Sequence, residues 1–415
     1  MSVIKYLLDL GATVMLPIII FILGLILGEK PGRAFRAALT IGIGFIGINL
    51  VIGLLVNNLG PAAQAMVKNM GVKLNVIDVG WPASAAIAFA SKVGALVIPI
   101  GLVVNIIMLA TRLTKTVNVD FWNYWHFAFT GALVTAATGS LTLGLIAAAI
   151  NAAIVLFLAD WTAKMVQDFY GLPGISLPHG FSAAYVPIAI PLNKLIDKIP
   201  YINKIEADPD TISKRFGIFG EPVVIGLILG LVLGVLAKYD VKATLNLGMS
   251  MAGVMFLMPR MVRILMEGLI PISEAAKVFM QKRFKGKEFY IGLDSAVAVG
   301  HPAAISTALI LVPITIFLAV ILPGNNVLPF GDLATIPFMI AMIAPITKGN
   351  VFRSVVIGTI VIAVGLWIAT NVAPLLTQAA AEAAFKFPTG ATEISSICDG
   401  ANPLTWVILQ IMKLF

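Results

Sequence analysis

The sequence predicts an all-α polytopic membrane protein with about 10–11 transmembrane helices and two re-entrant hairpins, arranged as an inverted repeat of five plus five elements. Three observations carry that expectation. Of 415 residues, 59% are hydrophobic and only 12% charged, with a mean hydropathy of +1.00, whereas a soluble domain is about half apolar and a quarter charged. The same sequence anchors recur in the same order in two halves. In corresponding places, each half carries a short apolar segment interrupted by an acid, a glycine and a proline. A soluble enzyme is excluded, and the long unbroken apolar runs argue against a β-barrel.

Helices are expected at about 11–28, 35–57, 92–111, 122–138 and 140–163, with a shorter apolar stretch at about 75–90. The first contains no small-residue cleavage site and reads as a transmembrane helix rather than a signal peptide. A polar central region, 166–217, divides this first repeat (1–165) from a second (218–376). There, helices resume at about 218–237, 243–265, 306–322, 333–346 and 351–375, with a short apolar stretch at about 289–304. A C-terminal segment, 377–415, ends in an apolar run from Asn402 that is short for a span.

The halves correspond anchor by anchor. Gly24-Leu-Ile-Leu-Gly28 matches Gly230-Leu-Val-Leu-Gly234, and Gly42 and Gly47 match Gly248 and Gly253, all at the offset 230 − 24 = 206. Val79-Gly-Trp-Pro-Ala83 matches Val299-Gly-His-Pro-Ala303, Phe121 matches Phe330 and Thr138 matches Thr347. Charge gives the orientation. Lys30, Arg33 and Arg36 after the first helix, Arg112 and Lys115 after the fourth expected segment, and Lys194 to Arg215 in the centre belong to the cytoplasm. Lys277, Lys282, Arg283, Lys285 and Lys287 precede the second interrupted segment, whereas its first-half equivalent holds only Lys68 and Lys73, so the halves are read as oppositely oriented.

The interrupted segments mark the expected site. Val76-Ile-Asp-Val-Gly-Trp-Pro-Ala-Ser84 and Gly292 to Pro302 each combine an acid with helix-breaking residues. Non-helical backbone at membrane depth must be buried or line a cavity. Asp78 and Asp294 are expensive inside a bilayer and so are candidate ligand residues, with Asp294 able to accept two hydroxyl hydrogen bonds from a polyol. Trp81 offers an indole to a carbon chain. The three histidines, His126 (with Thr130 one turn on), His179 and His301, all lie in conspicuous places. Asp332 is a further candidate because its loop is the second-half partner of the His126 region, although capping at a helix start accounts for it equally well. Phe121, Trp122, Tyr124 and Trp125 read as a membrane-interface belt.

The net charge of +8 sets topology, and no nucleic-acid motif accompanies it. The single cysteine, Cys398, reads as incidental, and no histidine spacing suits a metal. No nucleotide motif is found, so ATP-driven transport by this chain and any cofactor are not expected.

Asp78-Val-Gly-Trp-Pro82, Trp125-His-Phe-Ala-Phe-Thr-Gly-Ala-Leu133, Gly220-Glu-Pro-Val223, Gly292-Leu-Asp294, Pro329-Phe-Gly-Asp-Leu-Ala-Thr335 and Gly349-Asn-Val-Phe-Arg353 resemble the galactitol family of membrane permeases. These are IIC components of the bacterial phosphoenolpyruvate-dependent sugar phosphotransferase system; the ascorbate permeases are a more distant likeness. The resemblance implies an inner-membrane homodimer whose core domain moves as an elevator against a scaffold. It implies galactitol or a related alditol as substrate, phosphorylated on release by a phosphocysteine on a separate IIB protein that is charged through IIA. It also points to Trp81, His126 with Thr130, His179 and Asp294 as substrate contacts, with His126 the candidate general base. The residues alone leave a second reading open: a secondary polyol transporter driven by H⁺ or Na⁺, with Asp78 and Asp294 as coupling sites.

Overall fold

A computed structural model describes residues 12–69, 76–283, 289–329, 331–385, 387 and 393–415. Lys73, Lys285, Lys287 and Phe330, which carry part of the charge and repeat reading, lie outside the described residues.

Helices α1 (Ala12–Ile26) and α2 (Pro31–Asn69) lead into strand β1 (Val76–Asp78) and helix α3 (Gly80–Ala90). Helix α4 (Gly94–Ala110), strand β2 (Thr116–Asn118), a three-ten turn at Trp122–Tyr124, and helices α5 (Trp125–Thr138) and α6 (Leu141–Tyr170) follow. Strand β3 (Ile175–Ser176), a second three-ten turn at Ala183–Tyr185 and helix α7 (Val186–Ile196) come next. Helix α8 (Pro209–Phe216) lies in the connection to α9 (Pro222–Leu236) and α10 (Val241–Arg283). The chain then runs through β4 (Tyr290–Gly292), α11 (Ala296–Val299), α12 (Pro302–Ile321), β5 (Val327–Leu328) and a three-ten turn at Leu333–Thr335. It finishes with α13 (Ile336–Ile346), α14 (Val351–Glu382), β6 (Glu393–Ser395) and α15 (Pro403–Met412).

Local chemistry sets the ends. Ser140 caps α6 by accepting from Leu143 N–H, Asn350 caps α14 through Arg353 N–H, and Asn402 caps α15 through Leu404 and Thr405 N–H. Prolines 31, 209, 222, 302 and 403 each occupy a first helical turn, where their missing N–H costs nothing. Gly139 and Gly171 close α5 and α6 with φ of +70° and +68°.

Among the described residues, six short strands form two parallel sheets that interleave the chain's halves. β1 lies between β5 and β6, and β4 lies between β2 and β3. Each sheet therefore takes its middle strand from one half and its edges from the other. α2 packs along α10, with α1 and α9 against them, while α14 packs on β5 and β6, α6 on β2, β3 and β4, and α4 on β2. Along α2, Phe35, Leu39, Ile43, Ile46 and Leu50 are all more than half exposed, an apolar face that hydrocarbon, not water, accommodates.

Five helical stretches are long and apolar enough to cross a membrane among the described residues: Pro31–Ala62, Leu141–Tyr170, Val241–Ile272, Pro302–Ile321 and Val351–Glu382. α3 and α4, bent by 88° at their break, make at most a sixth. The other apolar helices, such as Pro222–Leu236 and Pro403–Met412, are 10–17 residues long. The expected count of 10–11 full spans is thus not reproduced among the described residues, because these apolar helices are too short, and three-ten turns at Trp122–Tyr124 and Leu333–Thr335 take the start of two expected helices. Residues 175–196, within the 166–217 stretch, are also structured, with Leu177, His179, Phe181, Ser182 and Tyr185 buried. Neither interrupted segment is a simple helical hairpin. In the first, Trp81 and Pro82 lie in the opening turn of α3, and the sharp bend comes later, at 91–93. In the second, Gly300-His301 separates α11 from α12.

Candidate functional site

The loops that follow the strands converge on one place. At the end of β1, Asp78 accepts from Gly80 N–H (3.1 Å) and from Asp332 N–H (2.8 Å). Gly80 has φ +80°, and a Cβ there would lie 3.0 Å from Gly331 O, so the two loops approach backbone to backbone. Asp332 in turn accepts from Trp81 N–H (2.6 Å), the Ser396 hydroxyl (2.5 Å) and Cys398 N–H (2.9 Å). One buried carboxylate thereby ties the tips after β1, β5 and β6 together.

The other sheet has its own fastening. Thr116 and Ser176 share a 2.8 Å hydroxyl bond across β4, and Asn105 donates to Thr116 O (2.8 Å) while accepting from Asn118 N–H (3.0 Å). Beyond β2, Asp120 accepts from Asn123 (2.6 Å). Asp294 follows β4, accepts from Ala296 N–H (2.9 Å) and lies 3.5 Å from His179 Nε2. Ser182 N–H reaches His179 Nδ1 (3.3 Å), and the Ser182 and Ser295 hydroxyls are 2.7 Å apart.

His126 stands where the two assemblies meet. Its Nδ1 is 2.5 Å from Asp399 Oδ2, and its ring contacts Trp125 and, edge to face, His179. Gly180 makes room for it, since a Cβ at that position would lie 2.5 Å from His126 Cβ. The Sγ of Cys398 joins His126 and Asp399 in a group whose ligand atoms fall within 4.8 Å of one another, but the histidine and carboxylate are already paired.

These side chains surround a cavity of about 240 Å³. Trp81, Asn123, His126, His179, Asp294, Thr335 and Cys398 bring the polar and polarisable groups, and Trp122, Trp125, Phe181 and Phe338 bring aromatic surface. Phe45, Ile48, Asn49 and Ile52 of α2 form the facing wall. An apolar enclosure with a few convergent hydrogen-bonding groups suits a small polyhydroxylated molecule.

Of the expected residues, Trp81, His126, His179 and Asp294 therefore share one cavity. Asp78, Thr130 and Asp332 are buried beside it and line none of it. Thr130 is held by Asn151 (2.6 Å) and Thr405 (2.8 Å) behind His126, and the two acids brace the tips. His301 lies elsewhere: its ring packs on Phe169 (4.4 Å between centroids), and Nδ1 caps α12 by accepting from Ala303 N–H. Trp122 and Trp125 line the cavity instead of forming an interface belt, because the turn at Trp122–Tyr124 faces inward. Asn123, Asp399, Phe338 and Asn49 are additions to the expected set, and Cys398, read as incidental, lines the cavity. Asp399 carried a usable signal, being the only acid between Ser395 and Phe415 in an apolar stretch.

The apolar helices and this cavity define a multi-pass membrane carrier of a small polar solute. The chain belongs to the family of phosphotransferase-system (PTS) sugar-specific permease components, whose match spans residues 6–390. It is 49% identical over 412 residues to the PTS system galactitol-specific EIIC component of Escherichia coli (strain K12), covering 99% of this chain and 91% of that protein. The protein of the same description from Escherichia coli O157:H7 matches with the same identity and coverage. Family membership sets the ion-coupled secondary-transport alternative aside and assigns the chain to the bacterial inner membrane.

Proposed function

We propose that this permease carries galactitol, or a closely related alditol, inward and presents it for phosphorylation by a phosphocysteine on a IIB partner, itself charged by IIA. The observation that carries the substrate class is the juxtaposition of Asp294, His179 and His126 in one cavity with aromatic and aliphatic walls. A carboxylate accepts from two hydroxyls at once, and two imidazoles exchange hydrogen bonds with others. The neutral polyol needs no counter-ion. Phosphoryl transfer requires one terminal hydroxyl to be held toward a phosphate that the partner brings, so positioning supplies most of the catalysis.

The same reading extends to architecture. The order of helices, strands and three-ten turns over 12–196 recurs over 222–412 except for the turn at Ala183–Tyr185, and the sheets exchange strands between those halves. That exchange supports an inverted repeat with the site at its interface. The helices around the sheets would travel with the substrate as an elevator core. α1, α2, α9 and α10 would form the stationary scaffold, pairing with a second copy as a homodimer.

Uptake of labelled galactitol into inside-loaded membrane vesicles tests the function. With phosphoenolpyruvate and the soluble phosphotransferase proteins enclosed, galactitol phosphate should accumulate, and Asp294→Asn should cut that accumulation at low galactitol by about tenfold or more. Free galactitol rising on a proton or sodium gradient, with no phosphate ester formed, is the contrary result.

A further inference from the structure

The contacts around His126 define the roles of its two ring nitrogens. Nδ1 faces the Asp399 carboxylate at 2.5 Å, and both groups are fully enclosed. A carboxylate only accepts, so the imidazole proton resides on Nδ1. Nε2 is buried and has no hydrogen-bond partner among the described residues, although the ring lines the cavity. An unpartnered buried acceptor is costly unless a ligand satisfies it.

Asp399 is itself held in one orientation. Asn402 Oδ1 accepts from Leu404 and Thr405 N–H (3.0 and 3.2 Å) as the cap of α15, which turns its amide nitrogen toward Gly180 O (3.0 Å) and Asp399 Oδ1 (3.1 Å). Oδ1 of Asp399 is thus committed to Asn402, and Oδ2 to His126.

We infer that Asp399 is a positioning residue that fixes His126 with a bare Nε2, the acceptor of the substrate hydroxyl's proton during phosphoryl transfer. This rests on the phosphotransferase reading above. In that step the hydroxyl oxygen forms the new O–P bond as its proton passes to Nε2. The S–P bond of the partner's phosphocysteine breaks, and the sulfur leaves as a thiolate. The imidazolium so formed keeps Nδ1–H on Asp399, whose charge stabilises it. Both Asp399 and its cap residue lie beyond residue 390, outside the stretch matched by the family.

Asp399→Asn separates this role from packing. Asn402 can only donate to its neighbour, so the new amide turns its oxygen to Asn402 and its NH₂ to His126. Nδ1 then has to accept, and the proton moves to Nε2. The volume hardly changes, and a hydroxyl that donated to Nε2 can accept from it instead, so galactitol affinity should stay within a few-fold. Phosphoryl transfer should fall by about 10²–10⁴-fold, the range a general base contributes.

The readout is nitrogen NMR of ¹⁵N-histidine-labelled protein, which has only three histidines, alongside galactitol binding and transfer from phosphorylated IIB. The assignment is supported by a wild-type His126 with unprotonated Nε2, a flipped tautomer in Asp399→Asn, and transfer lost with binding kept. A wild-type Nε2 that carries the proton overturns it, and so does a flipped tautomer with transfer unchanged. The wild-type spectrum needs neither a phosphoryl donor nor a folded variant. It therefore distinguishes failure of the Asp399 assignment from failure of the phosphotransferase reading, which the vesicle assay detects on its own.

Discussion

The backbone N–H of Trp81 donates to the carboxylate of Asp332 at 2.6 Å, joining residues 251 positions apart. Trp81 lines the cavity, Asp332 does not, and the bond between them sets where the indole stands. Across the site, Asn123 donates to Asp120 (2.6 Å), and Asn123 and Asp294 both line the cavity. The sheet of β1, β5 and β6 thus delivers Trp81 to the cavity on a tip held by a side chain from the opposite half.

Asp332→Ala should therefore damage stability as well as function. It strands the N–H groups of Trp81 and Cys398 and the Ser396 hydroxyl, all in contact with a fully buried position. Each unsatisfied buried donor costs about 1–3 kcal/mol. Thermal unfolding of the purified protein, followed by tryptophan fluorescence, should show a loss of roughly 3 kcal/mol or more, and Asp332→Asn, which keeps one acceptor oxygen, a smaller one. An unchanged Tm in the alanine variant would contradict the bracing role.

Asp294→Asn should act on binding and leave the fold intact. The carboxylate faces the cavity, and its backbone bond from Ala296 N–H is retained by an amide oxygen. Losing a charge-assisted bond to a hydroxyl costs about 1.5–3 kcal/mol, or roughly 10- to 150-fold in Kd. Equilibrium binding of labelled galactitol measures it.

His301 provides the negative counterpart. Sequence alignment of Val79-Gly-Trp-Pro with Val299-Gly-His-Pro pairs it with Trp81, yet it packs on Phe169 and caps α12. His301→Asn preserves a capping acceptor and should leave galactitol Kd and transport at wild-type values. A tenfold loss of affinity would return His301 to the site.

That mismatch shows where sequence reading stopped. Periodic apolar runs gave the long helices, and acids and breaks in apolar segments pointed to Asp294 and Trp81, because a buried charge and a proline are visible without a fold. The strands are two or three residues long, below any periodic signal, and they decide which tip meets which. Asp294, not His301, shares the cavity with Trp81 for that reason. Asp399 reaches His126 across 273 residues, and no local pattern connects them.

The polar connection between the halves allows a test away from the cavity. Asp208 caps α8, accepting from Thr211 N–H (2.9 Å) and the Thr211 hydroxyl (2.6 Å). The Thr211 hydroxyl and N–H together hold its carboxyl below the usual carboxylate value of 3.8. A folded-state value below the unfolded one means that the cap stabilises fully above the unfolded pKa and is lost as pH falls through the folded one. The basic residues of the last turn, Lys214 and Arg215, complement the helix dipole at the other end. Asp208→Ala should cost α8 about 0.5–2 kcal/mol, with solvent screening favouring the lower end because the side chain is partly exposed. Hydrogen exchange at neutral pH should speed up over 209–216 in the variant and leave α14 unchanged. In wild type, the same segment should lose protection only as pH drops below the unfolded carboxylate value, and a variant with wild-type exchange at pH 7 would show that the cap contributes nothing to α8.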